Sequence, residues 1–197
     1  IVQVRGANLL AGKAEIDTAQ ERLTNADALM IQNELPVSVT KKVASTAKEL
    51  GVPVIFDPAP PDHNLKEIIE HVDIIMPNQN EGEFLTGVKI DDEISARKAS
   101  SILLATGVST VVIKMGGLGA YFASANDSGF VPSFPSKVVD SVGAGDAFGA
   151  SFTVSVAEQL PLREAVLKGC AAGSIAVSKP GAQTSMPNRN QVDSLIS

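Results

Sequence analysis

The run Asp140-Ser141-Val142-Gly143-Ala144-Gly145-Asp146-Ala147-Phe148 decides how this chain is read. Two acids bracket a Gly-Ala-Gly turn, and a stretch of small and apolar residues follows at once. The pattern predicts a strand-to-helix junction whose first backbone N–H groups face an anion. The first turn of a helix leaves those N–H groups without intrahelical partners and carries a positive partial charge. Gly143 and Gly145 permit unusual backbone angles and let the chain approach a ligand closely. Asp146 places a carboxylate on the junction itself. An anion cradle with an acid at its lip points to phosphoryl transfer, with Asp146 as a base that accepts a hydroxyl proton by virtue of its position. The plainer alternative is an Asp N-cap on a helix packed through Ala and Gly, which accounts for Asp146 but not for the two glycines before it.

Working outward, apolar runs and helical periodicities alternate. Strands are predicted over 1–4, 28–32, 53–56, 73–76 and 110–115, and a hairpin pairs 120–124 with 130–134. Helices are predicted over 15–25, 65–71, 79–86, 93–106, 145–158 and 161–178, and near 191–196. Another helix opens at Pro36 as a first-turn proline and closes at Gly51. Strands apolar on both faces and separated by helices mean a mainly parallel sheet covered on both sides, in one domain over 1–197. Right-handed crossovers put the strand C-terminal ends on one edge, where open α/β sheets bind ligands. Glu34, Asp57, Asn78 and Gly116 stand at those ends, and the 140–146 turn is expected to reach the same edge.

Composition narrows the chemistry. Of 197 residues, 44% are apolar and 19% charged, the profile of a globular chain, and a 4% aromatic content without Trp makes the core aliphatic. A net charge of -6 argues against a nucleic-acid partner, yet leaves room for ATP held locally by backbone N–H groups. The single cysteine, Cys170, excludes an internal disulfide and a cysteine metal site, and two histidines, His63 and His71, make a zinc cluster implausible. No signal peptide is visible and no apolar run reaches the roughly 18–20 residues that cross a bilayer, so the expected location is cytoplasmic, away from membranes.

The glycines belong to neither familiar nucleotide motif. Gly143, Gly145 and Gly149 miss G-x-G-x-x-G by one residue, and no G-x-x-x-x-G-K-[ST] occurs. Asn78-Gln79-Asn80-Glu81 sets an amide and a carboxylate on one helical turn past a strand, oxygen donors that suit Mg²⁺ through water. The same residues also read as a capping box. Lys114 to Gly119 is a strand and glycine-rich turn that could lie along a nucleotide or simply make a tight β-turn. Residues 179–185 offer carbonyls and a Ser hydroxyl to a hard cation, or merely end a helix. Cys170, among Gly169, Ala171 and Ala172, reads as a packing residue, and both histidines are expected to be solvated.

Together these residues resemble the PfkB-type carbohydrate kinases, and within them the ribokinase branch. The run from Asp140 to Phe148 resembles the C-terminal signature of that family, 76–87 its N-x-x-E segment, and Gly116-Gly117-Leu118-Gly119 its nucleotide loop. Gly181-Ala182-Gln183 with Ser185, Gly6-Ala7-Asn8 and Asp57-Pro58-Ala59-Pro60 also look ribokinase-like. The resemblance implies a three-layer α/β/α sandwich that lacks the family's N-terminal strands and β lid. It implies ATP-dependent phosphorylation of a sugar primary hydroxyl, with D-ribose as acceptor and Asp146 as general base. The N–H groups of Gly143, Ala144 and Gly145 would form the anion hole. Asn78 and Glu81 would organise Mg²⁺, the latter through water. Asn78, Lys114, Met115, Gly116, Gly117, Leu118, Gly119, Gly145 and Cys170 would border the nucleotide, and Glu34 with Asp146 would contact the sugar. Asp140, Val142, Ala176, Lys179, Gly181 and Ser185 would surround an activating monovalent cation, K⁺. A complete member would dimerise through the lid. Lys114 replaces a common Thr, Cys170 a common His or Asn, and Gln79 a common acid. Two alternatives stay open: a kinase of fructose, a nucleoside or another alcohol, and a nucleotide-binding remnant without catalysis.

Overall fold

The computed structural model describes residues 6–62 and 65–197. The strand expected over 1–4 and His63 lie outside the described residues. The sheet has six strands in the order β1 (Leu29–Gln32), β2 (Val54–Asp57), β3 (Ile74–Ile75), β4 (Thr110–Lys114), β5 (Gly119–Ser124) and β6 (Ser128–Pro132). The first four run parallel, and β5 and β6 turn back antiparallel. The sheet is therefore mainly parallel, as its apolar strands predict. Helices α1 (Lys13–Leu23), α2 (Val37–Glu49), α3 (Leu65–Ile68), α4 (Gln79–Thr86), α5 (Glu93–Leu104), α6 (Ala144–Ala157), α7 (Leu162–Ala176) and α8 (Arg189–Ile196) follow the expected order.

Alternating side chains divide each inner strand between two cores. Phe56, Ile75, Val111 and Ile113 pack with Val43, Ala96, Ala99 and Leu103 from α2 and α5. Ile55, Ile74 and Val112 face the other way, onto Phe148 and Phe152 of α6 and Val166 and Cys170 of α7. Burial on both faces is what a parallel sheet requires. Two glycines bring α6 in close. A Cβ on Gly149 would lie 2.4 Å from Met30 Cε on β1, and one on Gly169 would lie 3.0 Å from the Phe148 ring. Gly149 is thus a packing residue, consistent with its failure to fit a dinucleotide motif.

Differences from the expected elements are local. Strand β3 has two residues rather than four, because Pro77 interrupts the ladder. Asp73 N and Met76 N still donate to Val54 O and Phe56 O at 3.0 and 2.8 Å, and pairing resumes where Lys114 N donates to Pro77 O at 2.9 Å. The helix expected over 65–71 is one α turn followed by a 3₁₀ turn, Ile69–His71. A short 3₁₀ helix, Gly6–Leu10, was not anticipated. His71, expected to be solvated, has a side chain only 20% exposed, with Nε2 3.3 Å from Glu70 Oε1. The hairpin partner of β5 runs over Ser128–Pro132 rather than 130–134, and Phe134 leaves the strand to donate its N–H to Ser174 Oγ at 3.3 Å.

Two glycines with positive φ separate backbone strain from steric conflict. Gly107 has φ 105° and open space around a would-be Cβ, whereas Gly119 has φ 124° and a would-be Cβ 2.0 Å from Val131 O. Gly107→Ala is expected to cost only the strain of its backbone, about 1–3 kcal/mol. Gly119→Ala must also push β5 from β6 and is expected to cost about 3 kcal/mol or more. Urea unfolding of both variants checks the order, and equal losses would contradict it.

Candidate active site

The C-terminal ends of β1 to β4 open on the same edge, and the first turn of α6 crosses above them. The cap of α6 is Gly143, in the left-handed region at φ 80°, ψ -5°. Asp146 is therefore the third helical residue and not the N-cap, which corrects the plainer reading of the signature. Its Oδ1 instead accepts a hydrogen bond at 2.9 Å from Gln32 Nε2, at the end of β1. The N–H groups of Gly143, Gly145 and Asp146 donate to no described residue, while Ala144 N makes a long 3.3 Å contact with Ser141 O. The free N–H groups of Gly143 and Gly145 match the array expected over 143–145, whereas that of Ala144 is turned back onto Ser141 O and that of Asp146 was not expected.

Beside this turn lies a cavity of about 580 Å³, a size that suits a small organic ligand. It brings together Asn78, Lys114, Gly116, Gly117, Gly119, Gly145 and Cys170, all expected at the nucleotide, with Ala144 of the expected anion hole. The other nucleotide candidates lie outside it: Met115 is buried in the core beneath the loop, and Leu118 is half exposed. Burial pushes the Cys170 thiol up to about 12, so it packs and stays protonated. Sequence reasoning missed the opposite wall, where Phe134, Ser136 and Val138 come from an irregular segment. Phe134 was expected at the end of a strand, and neither periodicity nor turn chemistry marks the residues after it.

Asn78 and Glu81 form the capping box that competed with the cation reading. Asn78 Oδ1 accepts from Glu81 N at 2.9 Å, and Glu81 accepts from Asn78 N at 2.7 Å and from Asn78 Nδ2 at 2.6 Å. Glu81 is buried, and desolvation raises its carboxyl against the opposing pull of the Asn78 N–H and the Lys114 charge. Behind it, Lys114 Nζ meets Asp57 Oδ2 at 2.5 Å. Asp57 was legible only as a strand-end acid with no assigned role. Just past the end of β1, Glu34 Oε2 accepts from Asn8 Nδ2 at 3.3 Å.

A second pair of loops supports the first turn. Asp140 Oδ1 accepts from Val142 N and Oδ2 from Gly181 N, both at 3.0 Å. Ser185 is fully buried and donates to Ala182 O at 2.8 Å. Ala176 O accepts from Lys179 N at 3.2 Å. All six residues expected around a monovalent cation thus fall on two adjoining loops and the end of α7.

A family model described as pfkB family carbohydrate kinase matches residues 1–189. The chain belongs to that family. It is 36% identical over 191 residues to a ribokinase from Haemophilus influenzae, covering 97% of this chain and 62% of that protein. A ribokinase from Thermotoga maritima superimposes with a TM-score of 0.87 at 35% identity, over 99% of this chain and 64% of the other. The Arabidopsis thaliana ribokinase, solved with ribose and ATP, superimposes with a TM-score of 0.92 at 34% identity, again over 99% and 64%. This pfkB family chain therefore has a ribokinase-like α/β fold and spans less than two thirds of the length of these relatives. No described helix is long and apolar enough to cross a membrane.

Asp140 gives the loop pair an acid-sensitive clasp. The N–H groups of Val142 and Gly181 hold its carboxyl below the usual value of 3.8. A depressed carboxyl contributes stability that is present above the unfolded value and disappears as pH falls through the folded one. Asp140→Asn keeps one acceptor and loses the charge. Its unfolding midpoint should fall below that of the parent at pH 6–7, and the gap should close below about pH 3.8. A gap that persists at low pH in urea titrations would rule the clasp out.

Proposed function

We propose that this chain carries the phosphoryl-transfer machinery of an ATP-dependent sugar kinase whose acceptor is the primary hydroxyl of D-ribose. The observation that carries the reading is Asp146. Its carboxylate stands on the first turn of α6, held by Gln32 at 2.9 Å, directly after N–H groups that donate to no described residue. Base and anion hole are then consecutive residues of one turn. The ribose and ATP found with the Arabidopsis relative support both the nucleotide and the acceptor.

In this mechanism the acceptor hydroxyl lies between Asp146 and the γ-phosphorus. As the oxygen attacks, its proton passes to Asp146, the new P–O bond forms, and the bond to the β-phosphate oxygen breaks with its electron pair left on ADP. The N–H groups of Gly143, Gly145 and Asp146, with Ala144 alongside, hold the oxygens of the transferring group where negative charge is spread. Asp146 acts by position, and Gln32 orients it with a neutral amide. Glu34, joined to Asn8, faces the sugar, and the glycine-rich 116–119 loop with Cys170 borders the nucleotide.

The donor set fits the expected cations. Both Glu81 oxygens already accept hydrogen bonds from Asn78, so their spare lone pairs would hold Mg²⁺ through water. When bound, Mg²⁺ neutralises charge on the β- and γ-phosphates. The oxygen-rich loops that carry Asp140, Val142, Gly181 and Ser185, with Ala176 and Lys179, would hold K⁺ and keep the anion hole in shape.

Transfer of labelled γ-phosphate from ATP to ribose tests the reading, in this chain and in the product of the reading frame that contains it. Asp146→Asn should lower turnover by about 10²–10⁴-fold while ATP affinity stays within a few-fold. Turnover that survives the substitution would overturn the assignment of the base.

A further inference from the structure

Asp57 and Lys114 end β2 and β4, and the chain of β3 runs between them. The lysine reaches across that strand to place Nζ 2.5 Å from Asp57 Oδ2, with 12% of its own side chain and 3% of the aspartate's exposed. As a stabilising device the pair is poor. Asp57 Oδ1 accepts no hydrogen bond from any described residue. Desolvation is the largest influence on the Asp57 carboxyl and raises it despite the ammonium beside it. Buried ion pairs of this kind often add no more stability than well-packed apolar residues would. A buried acceptor without a partner calls for a separate explanation.

What the pair does accomplish is the placement of a cation. Lys114 lines the cavity together with Asn78, Gly116, Gly117 and Gly145. Its Nζ lies 3.7 Å from where a Cβ on Gly145 would stand, beneath the turn whose N–H groups are unpaired. Asp57 engages one of the three ammonium protons, which leaves donors for a ligand. An anion cradled by the first turn of α6 would therefore meet a full positive charge as well as the helix dipole.

We propose that Lys114 is a catalytic residue that contacts the terminal phosphate of bound ATP and the phosphoryl group in transfer, and that Asp57 is the positioning residue that draws its ammonium over β3 to that place. The assignment rests on the kinase reading. Charge spread over the equatorial phosphoryl oxygens is stabilised by such a fixed cation, and Lys114 itself neither gains nor loses a proton.

Calorimetric titration of the full chain with ATP, ADP and AMP in the presence of Mg²⁺ tests the assignment. The parent is expected to prefer ATP to AMP. Lys114→Met should weaken ATP binding about ten- to a hundred-fold and leave AMP within about two-fold, the loss expected for one charge-assisted contact. Because that variant strands a buried carboxylate, the double variant Lys114→Met with Asp57→Asn keeps the site neutral, and AMP binding reports that it is folded. It should show the same loss confined to ATP. Asp57→Asn alone should narrow the preference by a smaller factor, whereas a purely structural role would weaken all three nucleotides alike. An unchanged ATP-to-AMP ratio in the double variant, or no preference in the parent, overturns the assignment and leaves the kinase reading standing. Failure of the parent to bind any of the three overturns both.

Discussion

The left-handed backbone at Gly143 is the constraint on which the site depends. At φ 80° it turns the chain so that α6 starts with its free N–H groups over the strand ends. No side chain could occupy that position cheaply. A Cβ there would lie 3.2 Å from Ala182 Cα and 3.1 Å from Met186 Cε, in a conformation that glycine tolerates best. The same close approach sets the turn against the 181–186 loop, and the Asp140 carboxylate closes the link through Gly181 N. The shape of the proposed anion hole and the integrity of the proposed cation loops are therefore one property. Anything that loosens residues 179–185 loosens the N–H groups that would face the phosphoryl group.

Two carboxylates at this edge are treated in opposite ways, and the contrast follows from their proposed tasks. Asp57 is buried against an ammonium, an arrangement suited to fixing a charge in place. Asp146 is exposed and held by the neutral amide of Gln32, which leaves Oδ2 uncommitted. The neutral amide orients the carboxylate without setting a second charge against it. Glu81 lies between these cases, buried yet satisfied by its capping box, so that it can act beyond that box only through its remaining lone pairs.

How much of this was legible in the sequence depended on whether the information was local. The parallel sheet followed from apolar strands between periodic helices, and the start of α4 followed from the spacing of Asn78 and Glu81. The turn at Gly143–Asp146 was legible because two glycines before an acid have few other uses. Less accessible were features set by contacts distant in sequence. Gln32 lies 114 positions from the carboxylate it orients. Lys114 and Asp57 lie 57 positions apart and meet only because β2 and β4 flank β3. The shortening of β3 came from Pro77, a residue whose effect on the ladder is visible once its neighbours are in place. In the sequence the cavity wall at 133–138 reads as strand up to Phe134, where the chain instead turns to the Ser174 hydroxyl on α7, a contact 40 positions away.

The strand order also shows how one helical turn would serve both sides of the proposed transfer reaction. Strands β1 and β4 are three spacings apart, roughly 14 Å at about 4.8 Å per strand. Gln32 stands at the end of the first and Lys114 at the end of the second. Consecutive residues of α6, Asp146 and Gly145, nevertheless lie beside both. The long lysine side chain closes the distance, because Asp57 pulls its charge back from β4 to the level of β2. In the proposed reaction the acceptor side would occupy the β1 edge and the nucleotide side the β4–β5 turn, with the ammonium and the helix start between them. With Ala or Ser at position 57, an unclamped lysine could follow its own strand end toward the glycine loop, and the charge would move away from the base. In this fold the distance between the proposed proton acceptor and the proposed phosphate-facing cation is thus set by a residue that belongs to neither group.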